Sequence, residues 1–270
     1  MKLCDLIINH IDDPYVGIGQ LSLECAFFEY PDLDVNAELQ SFASLCKGIE
    51  SKMEICDSLL SKANTLSEYL FDEIGFKGNN NDYYDPKNSF INEVLTRRLG
   101  IPISLSVIYA EVASRLGFEC VPVGTPGHLI LKITLEDGSD YFIDSFNRGI
   151  VMSEREAMAF IKKTVGFAYD VSGLKFDPIS RRDLVLRLFT NVKHIYLRNS
   201  DYPRAYKVLD IMVNIDPNNV YEVRDRGLVG LRVGERDQSI KDFQNFLEVH
   251  PVGRSAVEIS GLIDMLLKGQ

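Results

Sequence analysis

Residues 128–146, HLILKITLEDGSDYFIDSF, leave a chain little freedom. Two apolar runs, rich in β-branched and aromatic residues, flank Glu136–Asp137–Gly138. Such runs favour strands. A three-residue loop ending in a left-handed glycine joins antiparallel strands. The segment therefore predicts a β-hairpin with Leu135 opposite Ser139. That register sets His128 opposite Phe146. Asp144 lies two residues from Phe146, so it points to the same face as His128. Diagonal neighbours of this kind touch through their side chains. A carboxylate beside an imidazole fixes its tautomer and favours the imidazolium, as base and orienter of a nucleophile–base–orienter triad. A slip of one residue would separate the two onto opposite faces. Asp144 sits inside YFIDSF, where a charge is costly without a partner, and the GTPG turn before His128 aims that ring.

The flanking sequence is helical on the N-terminal side. LDVNAELQSFASLCKGIES spaces Val35, Leu39, Phe42, Leu45 and Ile49 on one face, with Asp34 as N-cap. ANTLSEYLFDEIGF continues the pattern with Leu66, Leu70 and Ile74. KGNNNDYYDPKN is a polar loop of turn formers. NSFINEVLTRRLG then predicts a helix closed by Gly100, and IPISLSVIYAEVASRLG a second one, begun at Pro102 and closed at Gly117. ECVPV is a third strand, and SEREAMAFIKKT opens a helix with a Ser153–Glu156 capping box. The expected regions are a helical segment over 1–74, a mixed core over 75–178 and a helical part over 183–270.

That last part repeats itself. Ala205 aligns with Ser239, Leu209 with Phe243, Met212 with Phe246 and Pro217 with Pro251, each pair 34 residues apart. The period and the small–large–proline order resemble tetratricopeptide repeats. Gly234 ends the first helix of the second copy, and Asn199–Ser200 occupies that bend in the first. SAVEISGLIDMLLK would cap the stack. The resemblance implies a protein-binding concave side, made by the first helix of each pair, around Asn191, Tyr196 and Arg224.

A second resemblance covers nearly the whole chain. NDYYDPKNSFINEVLTRRLGIPISLSVIYAEVASRLG, VPVGTPGHLILKI and FIDSFNRG, with EYPDLDV nearer the N-terminus, look like the SirB family of bacterial proteins. That resemblance implies an α+β fold: a helical N-terminal region, then a papain- or transglutaminase-like core, then tetratricopeptide-like repeats. In such a core a helix carries the nucleophile at its N-terminus and packs on an antiparallel sheet carrying the His and the Asp. On the resemblance, His128 and Asp144 take the base and orienter positions. The nucleophile is a cysteine whose thiol pKa is lowered by the helix dipole and the imidazolium.

Here the cysteine is missing. Counted without gaps from Gly100 and Gly117, its position falls on Pro102; with a short gap it falls on Ser104, or on Ser106 one face round. Cys120 lies beyond the far end of a helix about 21 Å long. Ser104 is the candidate substitute, and a serine alkoxide needs stabilisation that a thiolate does not. The other histidines, His10, His194 and His250, are isolated.

Cofactor signatures are absent: no GxGxxG, P-loop or HExxH motif occurs, and no cofactor or metal is expected. The odd set Cys4, Cys25, Cys46, Cys56 and Cys120 reads as reduced thiols in the cytoplasm. A net charge of −10 argues against nucleic-acid or anionic-membrane binding. No apolar stretch reaches the length of a membrane span. The expectation is a transglutaminase-like protein without its cysteine, a scaffold or regulator binding a protein or peptide through its repeats or its cleft. The alternative is a serine-dependent amidase, protease or acyltransferase using His128 and Asp144.

Overall fold

The computed structural model describes residues 3–166 and 173–268. Residues 1–2, 167–172 and 269–270, which belong to the three expected regions, fall outside the described residues. The chain divides into two units, Leu3–Leu188 and the part from Phe189 onward.

The first unit opens with α1 (Leu3–Ile11), α2 (Ile18–Cys25), α3 (Val35–Glu54) and α4 (Leu59–Ser67). Asp34 caps α3 by accepting the Ala37 N–H, and Phe42, Leu45 and Ile49 bury the face their spacing predicts. The helix expected to run on to Ile74 does not stay regular. After Ser67 the backbone widens into one π turn, Glu68–Glu73, with the Ile74 N–H on the Tyr69 carbonyl at 2.9 Å. Tyr69, Leu70 and Phe71 are all buried there. Three successive large residues fan across a regular helix and cannot share one inward face, and the wider turn relieves that conflict.

Next come β1 (Lys77–Gly78), α5 (Ile91–Arg97) and β2 (Leu99–Gly100); β1 and β2 pair in parallel. Helix α5 closes two residues earlier than expected, at Arg98 with φ +60°. Gly100 instead permits a close approach, since a Cβ there would lie 2.8 Å from Ser104 Oγ. Helix α6 (Pro102–Arg115) follows, and every residue from Pro102 to Ala113 is buried. A helix covered on every side belongs inside a core, and the polar groups it carries there, Ser104, Ser106 and Glu111, are buried with it. Each large side chain it buries, such as Leu105, Ile108 or Val112, contributes about 1.5–3 kcal/mol.

The sheet is antiparallel, ordered β3 (Val121–Thr125), β4 (His128–Thr134), β5 (Asp140–Asp144), β6 (Ile150–Ser153). The Leu135 N–H donates to the Ser139 carbonyl at 2.8 Å, and Gly138 has φ +82°. The hairpin register is the predicted one. Leu129, Leu131, Ile133 and Ile143 join the core around α6. Ile130 and Phe142, of opposite parity, pack with Ala157 and Ile161 of α7 (Glu154–Val165). The Ser153–Glu156 capping box opens α7. Strand β6, only four residues long, lacks a pattern that marks it in the sequence.

Helix α8 (Arg181–Arg198) spans the division between the units. The second unit continues with α9 (Tyr202–Ile215), α10 (Val220–Val233), α11 (Arg236–Val249) and α12 (Arg254–Lys268). Helices α9 and α11 have 14 residues each and begin at equivalent points of the 34-residue repeat. Ala205, Leu209, Ser239 and Phe243 are buried, as their alignment requires. Helices α10 and α11 approach closely: a Cβ on Gly230 would lie 2.6 Å from Ser239 Oγ, and one on Gly227 would lie 2.7 Å from the Phe243 ring. Ser200 at φ +57° and Gly234 at φ +90° make the two predicted bends. Tyr196 departs from expectation. It is 3% exposed, under the Arg204 guanidinium, and offers no surface to a partner.

Candidate active site

The hairpin delivers His128 and Asp144 to each other. His128 Nε2 lies 3.0 Å from Asp144 Oδ1, and the two side chains keep 7% and 1% of their surface. An ionised carboxylate only accepts, so Nε2 carries the proton. Nδ1 makes no hydrogen bond within the described residues and is the nitrogen left for chemistry.

Asp144 is held from several sides at once. Its Oδ1 also accepts the Phe146 and Asn147 backbone N–H groups at 3.0 and 3.3 Å, and Oδ2 accepts Asn147 Nδ2 at 2.6 Å. Burial raises the carboxyl pKa, but the His128 hydrogen bond and charge, with the Asn147 donors, outweigh it and hold the group below its ordinary range. Asn147 was not singled out from sequence, although its place three residues after Asp144, where the chain turns, is a capping signal. The imidazole lies between aromatic rings, with Phe160 at 5.4 Å and Phe146 at 6.4 Å between centroids. Tyr83 meets Phe146 edge-on at 6.0 Å, so the NNNDYYDP loop reaches the site through that ring. This loop is internally bonded. Asn88 Nδ2 donates to the Asp82 carbonyl at 2.7 Å and Asn79 Nδ2 to Asn88 Oδ1 at 3.1 Å.

The start of α6 is built differently from a nucleophile's seat. Pro102 stands in the first helical turn. It offers neither a reactive atom nor an N–H. Ser104 is fully buried. Its hydroxyl donates to the Asn88 carbonyl at 2.6 Å and accepts the Ile101 N–H at 3.1 Å. The hydroxyl thus reaches back to the helix's own N-cap and ties in the loop, and it makes no hydrogen bond with His128. Ser106 Oγ, one face round, is buried with no partner among the described residues. Cys120 immediately precedes β3, whose Val121 pairs with Lys132 and Thr125 with His128. It therefore lies about 17 Å along the strand from the imidazole at ~3.4 Å per residue. Burial, and secondarily the Glu119 charge, push its thiol pKa up, the wrong direction for a nucleophile.

A profile of the transglutaminase-like superfamily matches residues 34–190, more than half of the 270-residue chain. The chain belongs to the transglutaminase-like superfamily. The matched stretch includes α3 to β6 and the hydrogen-bonded His128–Asp144 pair, and no cysteine lies in α6. A tetratricopeptide-repeat profile matches residues 192–264. The relatives agree with the SirB resemblance. A UPF0162 protein of Xylella fastidiosa strain Temecula1 is 32% identical over 94% of this chain and 92% of its own length. UPF0162 protein YchA of Escherichia coli K12 is 26% identical over 86% of this chain and 84% of its own. Protein SirB1 of Salmonella typhimurium has the same identity and coverage. Among the described residues, no helix is long and apolar enough to cross a membrane.

Proposed function

We propose that this transglutaminase-like protein is not a cysteine-dependent acyl transferase but a cytoplasmic scaffold or regulator. It binds a protein partner through its tetratricopeptide repeats. One observation carries the reading: the start of α6 has Pro102 where a thiol is needed, and the nearest hydroxyl, on Ser104, is spent on backbone groups. Proline also removes a donor that a helix N-terminus would turn toward a developing oxyanion. Tetratricopeptide repeats generally mediate protein interactions, and five free cysteines suit a reducing compartment. The partner surface on this reading is the cluster on α10 and α11 where Arg224 covers Tyr221 and Phe246 and His250 meets both rings at a tilt. Tyr221 is 53% exposed, and aromatic and Arg side chains dominate interface energetics.

The test is capture of the native partner by the whole chain. Partner binding should survive His128→Ala and fail in a Tyr221→Ala/Arg224→Ala double variant. Loss with His128→Ala alone would move the binding to the cleft.

A second reading, a serine-dependent amidase, protease or acyltransferase, is favoured by the retained His128–Asp144 bond. It requires Ser104 to leave the Asn88 carbonyl and present its oxygen to Nδ1. Loss of a measured hydrolytic or transfer activity on Ser104→Ala, with folding intact, would favour it.

A further inference from the structure

The C-terminal end of α6 borders a cavity of about 560 Å³. It lies between the α1–α2 turn, the chain entering β3 and the segment before α8. Its walls are apolar: Val16, Ile18, Phe118, Val121, Pro178 and Ile179. The volume falls within the range of small-molecule sites. Its chemistry differs from that of the His128 site, and the two share no residue.

Three charged groups line this cavity: Glu119 is exposed to solvent at its edge, and the other two, Glu111 and Arg181, decide what fits inside. Glu111 is 5% exposed and already satisfied, accepting the Gly19 N–H at 3.0 Å and Arg115 Nε at 2.7 Å. It fixes the first turn of α2 against α6. Arg181 is the opposite case. One of its N–H groups donates to the His10 carbonyl at 3.0 Å, and its Nε is buried with no partner. No carboxylate among the described residues pairs with it. The neighbouring Asp12 is engaged by Arg182 at 3.3 Å. Arg181 also lines a second cavity of about 560 Å³, with Ile11, Asp12, Pro14, Ser180 and Arg182. A guanidinium has five donors and no acceptor, and is matched by a carboxylate. An unpaired guanidinium on an apolar cavity calls for a ligand with one anionic end and one greasy end.

We infer that this cavity binds a small amphipathic carboxylate, its head on Arg181 and its aliphatic body along Val16, Ile18, Phe118 and Ile179. Aliphatic walls without further unsatisfied donors disfavour a sugar or a nucleotide. The buried, unpartnered Arg181 Nε disfavours an amine, since Glu111 is already satisfied and Glu119 faces solvent.

The test titrates the full chain with octanoate, with octylamine and 1-octanol as charge-reversed and neutral controls of equal length. Binding is read by the shift of the thermal midpoint and by NMR shifts of the Val16 and Ile18 methyl groups. Octanoate should raise the midpoint and move those methyls, and octylamine should do neither. Arg181→Gln should weaken octanoate at least tenfold, and Arg181→Lys less. Ala110→Leu, which fills the cavity from its floor while keeping Arg181, should abolish binding even if Arg181→Gln folds poorly. No response to millimolar octanoate, equal binding of octylamine, or unchanged affinity in Ala110→Leu would overturn the inference.

Discussion

Asp144 gathers three donors besides the imidazole around one buried charge, so its removal is felt in folding before it is felt in any reaction. Asp144→Ala leaves His128 Nε2, two backbone N–H groups and Asn147 Nδ2 without their acceptor. Breaking a buried pair from one side costs about 3–5 kcal/mol, and urea unfolding would measure it. The pH dependence has a definite sign. The folded carboxyl pKa is depressed. Its stabilisation is therefore fully present above the unfolded value of about 4 and is lost as pH falls through the lower folded value. Asp144→Asn should flatten the acid limb of the stability curve below about pH 4. Ser104→Ala, expected from helix capping alone to cost about 1 kcal/mol, strands the Ile101 N–H and the Asn88 carbonyl inside the core. The cost should be about 1–3 kcal/mol, again read from urea melts. At this scale the His128–Asp144 contact was legible because strand side chains alternate with a period of two and the EDG loop sets the register. The hold of Asn88 on Ser104 was not, because a carbonyl 16 residues away is brought in by tertiary folding.

Elements announced themselves where local chemistry decides them. Asp34, Ser153, Gly138 and Gly234 each satisfy a backbone need within a few residues, and each boundary they marked is present. The π turn at Glu68–Glu73 and the short β6 were illegible because burial by distant partners decides them. The repeat helices were legible through their spacing, and the same spacing sets a test. Ala205 is fully buried in α9 at the position equivalent to Ser239, which meets Gly230 across the α10–α11 contact. Ala205→Leu should overpack its site and cost roughly 1–3 kcal/mol. Gly230→Leu should do the same by driving into Ser239 and Tyr206. Thermal melts following the helical signal at 222 nm would check both, and a neutral effect at either position would mean that these helices separate more easily than their packing requires.

For the whole molecule, superfamily membership and domain order could be read from long motifs, whereas the proposed loss of cysteine chemistry rests on the first residues of a single helix. Thiol alkylation should leave any activity intact. Cys25 and Cys120 are buried with raised thiol pKa values, and the strand register sets Cys120 away from His128. Mass spectrometry of the labelled sites beside an activity assay would check this, and loss of activity tied to Cys120 alone would overturn the pseudoenzyme reading. With the native partner bound, hydrogen exchange should slow on α10 and α11 and stay unchanged in the NNNDYYDP loop. Protection of the loop alone would transfer the binding role to the cleft.

The rings around His128 also have an optical consequence. The chain contains no tryptophan. Phe160 is half-buried in contact with the imidazole, so Phe160→Trp would install a lone indole whose emission is quenched whenever that imidazole takes up a second proton. The protein would then report the charge state of its own buried imidazole as brightness, in the absence of any substrate.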